Sequence, residues 1–89
     1  MNRKYGHDTQ LNLLIEAKSD ASRSNIRYAM GQLFDYRRYM NPRPSLAILV
    51  PTELEGDLSA LVDEFDVGVI WRANGGFTDS INGGLTVRS

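Results

Sequence analysis

Leu13-Leu14-Ile15-Glu16-Ala17-Lys18 is an apolar run that closes on a carboxylate and an ammonium two residues apart. It completes the Leu/Ile-rich stretch Leu11–Ala17, whose length suits a buried strand better than a helix. On a strand, side chains two apart project from one face. Glu16 and Lys18 therefore point together, and Ile15 and Ala17 face the other way.

Upstream, Met1–Tyr5 is short and polar and reads as the end of an edge strand. Gly6-His7-Asp8-Thr9-Gln10 reads as a turn, because Gly and Asp tolerate turn dihedrals. Beyond the quoted run, Ser19–Ser24 is a small, polar loop. A helix is expected from Asn25 to Met40 with Ser24 as its N-cap. Ile26, Ala29, Met30, Leu33, Phe34 and Met40 form its apolar stripe, shared with Arg37. Asn41-Pro42-Arg43-Pro44 stops it, since proline cannot continue a helix. Leu46–Val50 is a central strand, ended by Pro51, with Thr52 placed to cap a second helix. Leu54, Leu58, Leu61, Val62 and Phe65 recur at helical spacing, and Val67–Trp71 is the next strand. Asn74-Gly75-Gly76 and Asn82-Gly83-Gly84 are turn signals around Phe77–Ile81. The pattern predicts an α/β fold in the order β-β-α-β-α-β over residues 1–73, followed by a Gly-rich extension over 74–89.

The chain has 89 residues, enough for one small domain, with 42% hydrophobic and 24% charged residues. It contains no cysteine and one histidine, which excludes disulfides, thiolate metal sites and a multi-histidine centre made by one chain. No run reaches the roughly 20 apolar residues of a membrane span, and the N-terminus lacks the apolar stretch of a signal peptide. The default expectation is a cytoplasmic protein. The net charge of -1 is unevenly spread: residues 1–45 hold eight Lys/Arg against four acids, and residues 46–89 hold two Arg against seven acids. Such asymmetry is compatible with one side facing a polyanion, and equally with ordinary solvated helix surfaces.

The Glu16-x-Lys18 pair has the parts for phosphodiester hydrolysis. Magnesium takes hard oxygen ligands and is commonly held by one or two carboxylates together with substrate phosphate. A lysine beside it can orient water or offset charge on the transferring phosphate. Taken alone the motif is common. In the following helix, Gln32 and Tyr36 are four residues apart and share a face, with Tyr28 on the same side. That polar-aromatic face borders the apolar stripe and is placed to rest against the strand bearing Glu16 and Lys18.

The run Leu-Ile-Glu-Ala-Lys, a short polar loop, and a helix carrying Gly-Gln-Leu-x-Asp-Tyr together resemble the PD-(D/E)XK nuclease superfamily. The Gln-x-x-x-Tyr spacing is similar to that of its RecB-type members. The likeness covers roughly residues 11–50, and the element order stays compatible through Trp71. It implies a restriction-endonuclease-like core, a mixed sheet flanked by helices. It implies Glu16 as a metal ligand, the Ala17 carbonyl as a further donor, and Lys18 as the catalytic lysine. Gln32 and Tyr36 would support the site or contact substrate. The implied cofactor is Mg2+ or Mn2+ and the implied partner is DNA. Arg23, Arg27, Arg37 and Arg38 are candidate phosphate contacts, or a solvated helix face.

The chain departs from that family in one respect: no Pro-Asp pair stands before Glu16. Asp8 and Asp20 are candidate substitutes, with Asp8 the nominated metal ligand, and the missing carboxylate is otherwise expected from upstream sequence or from a second chain. A homodimer is compatible with the small size. His7 is read as a turn residue and Trp71 as core or interface. Two other readings remain: a catalytically inactive nuclease-like module that binds nucleic acid or a protein, and a plain α/β interaction domain.

Overall fold

The computed structural model describes residues 5–8, by their backbone, and residues 12–80. The elements are β1 (Tyr5–Asp8), β2 (Leu13–Ala17), α1 (Arg23–Arg37), β3 (Ser45–Val50), α2 (Gly56–Glu64), β4 (Val67–Ala73) and β5 (Gly76–Asp79). They build one five-stranded mixed sheet in sequential order, β1-β2-β3-β4-β5. The inner pairs β2/β3 and β3/β4 are parallel, and the outer pairs β1/β2 and β4/β5 are antiparallel. The expected α/β class holds.

Parallel neighbours need a crossover, and each of the two crossovers here carries a helix. Crossovers of one hand between successive neighbours place their helices on the same face of the sheet. The core agrees with this. Ile26, Ala29, Met30 and Leu33 of α1 and Val62 of α2 share one buried cluster with Leu14, Leu46, Ile48, Val50, Val67 and Val69. The alternate strand residues Leu13, Ala47 and Ile70 form a second cluster on the reverse face, with Ile15 and Leu49 packed against it.

The boundaries differ from expectation where local polar chemistry decides them. The helix α1 starts two residues early because Ser22, not Ser24, is its N-cap: the Asn25 amide donates to Ser22 Oγ at 3.3 Å. Asp20 reinforces this by accepting from the Ser22 amide and from Asn25 Nδ2, both at 2.9 Å. The turn expected at Gly6–Asp8 is a strand, held by backbone pairing of Tyr5 with Glu16 and Asp8 with Leu13. Helix α2 is capped at Glu55 rather than Thr52, without a side-chain bond, and Leu54 enters the core from the preceding loop. The Asn74-Gly75 signal is a two-residue hairpin turn, with positive φ at both residues (51° and 78°) as that turn requires. Ile81 and the second turn signal, Asn82-Gly83-Gly84, lie outside the described residues.

Candidate functional site

The site begins with the period of two along β2. Leu14 faces the helix-covered core, so Glu16, two residues on, faces it too. Glu16 is fully buried, at 0% exposure. A lone carboxylate in such a place carries a large desolvation cost unless something offsets it. Lys18 supplies the counter-charge from the next same-facing position: its Nζ lies 3.3 Å from Glu16 Oε2, and its side chain is only 8% exposed. The strand holds Lys18 in place through its amide, which donates to the Leu49 carbonyl at 2.9 Å.

Helix α1 completes the arrangement. Lys18 Nζ donates to Gln32 Oε1 at 2.8 Å and sits 4.5 Å from the centroid of the Tyr28 ring. Tyr28 and Gln32 are one helical turn apart on one face, so a single ammonium reaches both. Lys18 is thus fixed by a carboxylate, an amide oxygen and an aromatic face. A cleft of about 450 Å³ opens beside it, lined by Ala17, Lys18, Ser19, Asn25 and Tyr28.

The structure therefore joins Glu16, Lys18 and Gln32, as expected. Tyr36 stands one turn beyond Gln32 and is half-buried against the core cluster. The arginines do not form one group. Arg23 opens α1 and pairs with Asp57, while Arg38 closes it, pairing with Asp35 at 3.0 Å and stacking on Tyr39. They stand fifteen positions apart, about 22 Å along the axis. Arg37 lies over the Phe34 ring. Arg27 is exposed and makes no ion pair among the described residues.

The donor set bears on a divalent cation in two ways. Neither Glu16 oxygen accepts a hydrogen bond among the described residues; Oε2 is paired with the Lys18 ammonium at 3.3 Å, which leaves Oε1 as the oxygen with lone pairs open to a hard cation. Against this, no group of three or more His, Cys, Asp or Glu side chains that would hold a metal occurs among the described residues. Asp20 is spent on the α1 cap, and its hydrogen bonds with Ser22 hold its carboxyl below the usual carboxylate range. Backbone pairing sets Asp8 opposite Leu13, three residues from Glu16 along β2, or about 10 Å. Glu16 is sealed from the cleft beside Lys18, and the further donors a cation needs are not found among the described residues.

The sequence under-read Tyr28, which it placed on the right face without a role. Its position four residues before Gln32 was the available signal. Among the described residues, no helix is long and apolar enough to cross a membrane. No protein-family model, no curated protein and no solved structure matches this chain.

Proposed function

We propose that this chain is the core of a divalent-cation-dependent nuclease of the PD-(D/E)XK type, hydrolysing phosphodiester bonds of DNA. The observation that supports it most is the convergence of Glu16 and Lys18, from one strand face, on Gln32 of the following helix. Apolar burial alone gives no reason for a carboxylate, an ammonium and an amide to meet at the end of a strand.

In this reading Lys18 is the phosphate-facing group. Gln32 and Glu16 hold its ammonium at a fixed place beside the cleft, where it offsets negative charge as it builds on the phosphate. Pre-positioning means that little reorganisation accompanies the reaction. Glu16, with the Ala17 carbonyl, is the chain's contribution to holding Mg2+ or Mn2+, and further oxygen donors come from outside the described residues or from the substrate. Such a cation, when bound, would supply Lewis-acid stabilisation and a more acidic water. Hydrolysis adds water across one P–O bond and leaves a phosphate monoester and a hydroxyl.

One observation favours a second reading, a nuclease-like module that binds nucleic acid without cutting it. Glu16 is completely sealed from solvent, whereas a magnesium ligand shares its ion with several waters. Nicking of supercoiled plasmid in Mg2+ or Mn2+ separates the two. Cleavage that disappears in Lys18→Ala and Glu16→Gln, with both variants shown to be folded by circular dichroism, supports the nuclease. Cleavage unchanged in folded Lys18→Ala sinks it, and DNA binding without cleavage in either metal leaves the second reading.

A further inference from the structure

Gly31 sits in the middle of α1, exposed, and a Cβ built on it meets no atom within 4 Å beyond its chain neighbours and the backbone of its own helix. Glycine in a helix interior is unfavourable relative to alanine, because it carries more backbone freedom into the unfolded chain. Glycines in helices are commonly explained by a close-packed neighbour. Here nothing of the described chain is packed against the position, which leaves a bare stretch of helix surface open to a partner.

The neighbours of Gly31 indicate what that is. Arg27 and Tyr28 precede it by four and three residues, so the three positions form one patch of helix surface. Arg27 is exposed and makes no ion pair among the described residues. Tyr28 is 63% exposed although it is a large aromatic residue. Its ring also walls the cleft beside Lys18, so the patch is continuous with the candidate site. A cation, an aromatic ring and a bare stretch of helix side by side match the needs of an unpaired nucleic-acid strand. Phosphate takes the cation, a splayed base stacks on the ring, and the missing side chain leaves room for the sugar-phosphate chain.

We propose that Arg27, Tyr28 and Gly31 form a docking strip on which single-stranded DNA lies as it enters the Lys18 cleft. The inference rests on the nucleic-acid reading of Glu16, Lys18 and Gln32, and it adds the strand that the site receives. Base stacking is tolerant of sequence, so the strip sets preference for unpaired DNA rather than for a base sequence. Tyr28 is here a binding residue that also steadies Lys18. Gly31 acts by leaving space.

The test is binding of a fluorescein-labelled oligothymidine to the full chain in EDTA, where no cleavage competes, with plasmid nicking measured separately. Gly31→Leu fills the strip and is expected to weaken binding about tenfold while the melting temperature stays the same or rises. Tyr28→Ala is expected to weaken binding about tenfold, and Tyr28→Phe, which keeps the ring, to bind within about twofold of wild type. A 2-aminopurine base in the oligonucleotide should be quenched on binding to wild type and to Tyr28→Phe but not to Tyr28→Ala, an effect that a purely structural role for Tyr28 does not produce. If folded Gly31→Leu and Tyr28→Ala bind as tightly as wild type, the strip is overturned, while nicking that depends on Lys18 leaves the nuclease standing. If wild type does not bind the oligonucleotide, the strip is overturned as well, and nicking again decides the nuclease independently.

Discussion

Lys18 Nζ stands 3.3 Å from Glu16 Oε2 at a place where the acid is fully buried and the lysine side chain nearly so. The two charges depend on each other. Removing one leaves the other uncompensated in the interior, which typically costs 3–5 kcal/mol, whereas replacing both with apolar groups of similar size is often neutral or stabilising. Lys18→Met should therefore destabilise the fold by roughly 3 kcal/mol or more in urea unfolding. The double variant Glu16→Leu/Lys18→Met should regain most of that loss. A cost below about 1 kcal/mol for Lys18→Met would show that Glu16 is not held as a buried partner. Recovery of stability in an inactive double variant would mark the pair as retained for chemistry rather than for folding.

Gln32 approaches the same ammonium from the helix, its Oε1 accepting from Lys18 Nζ at 2.8 Å. A hydrogen bond to a charged group contributes about 1.5–3 kcal/mol, more than a neutral one. Gln32→Leu should cost stability in that range and release Lys18 from its fixed position. Under the proposed function, single-turnover plasmid cleavage should fall at least about tenfold, in line with the loss of one pre-positioned electrostatic contact. Gln32→Glu, which keeps an acceptor at the same reach, should retain more of the rate than Gln32→Leu. Equal rates for the two variants would mean that Gln32 does not act through Lys18.

How much of the fold is legible in the sequence depends on how local each signal is. Strands β2, β3 and β4 were legible because Leu13–Ala17, Leu46–Val50 and Val67–Trp71 are apolar runs bounded by turn or proline signals. Asn74-Gly75 is legible as a turn, but residues 74–89 read only as a Gly-rich extension, and the place of β5 in the sheet comes from its pairing with β4. Strand β1 was not, because Tyr5–Asp8 has no apolar alternation and its extended state comes from pairing with β2. The start of α1 was misplaced by two residues because two serines offered a cap, and Asp20 decides for Ser22. For the site, the shared face of Glu16 and Lys18 came from strand geometry. That Gln32 meets them needed the crossover to lay α1 over β2, and that Tyr28 meets Lys18 needed the side chains. The pairing of Arg23 with Asp57, 34 residues apart, carries no local signal at all.

The Asp20 cap makes a pH prediction. Its carboxyl accepts hydrogen bonds from Ser22 and Asn25, and the Ser22 bonds lower its pKa in the folded chain below the ordinary value of 3.8. A carboxyl with a depressed folded pKa binds protons more readily when unfolded. It contributes stability above about pH 3.8, and that contribution drains away as the pH falls through the folded value. Asp20→Asn should therefore lower stability near neutral pH and flatten the acid side of the stability curve below about pH 4. Urea melts of wild type and variant from acid to neutral pH test this: parallel acid limbs would remove Asp20 as a contributor. Ser22→Ala, which deletes the cap oxygen itself, should cost about 1 kcal/mol at neutral pH.

The Asn74-Gly75 turn tests whether the far edge of the sheet and the site are separable. Gly75 has φ 78° and Asn74 φ 51°, a region that costs an ordinary L-residue about 1–2 kcal/mol. Gly75→Ala should destabilise by roughly that amount, while Asn74→Gly should be close to neutral. The pairing that the turn initiates runs from Ala73–Gly76 to Ile70–Asp79 and continues in the Ser80 amide bond to the Val69 carbonyl at 2.9 Å. Fraying should therefore appear as faster amide exchange at the paired residues of β4 and β5. Strand β2 lies two strands away from β4 in the sheet order, so the β2/β3 amides, Lys18 among them, should keep their protection in Gly75→Ala. If Lys18 exchange rises in step with that of β5, the sheet opens as one unit, and the strand carrying Glu16 borrows its stability from the opposite edge.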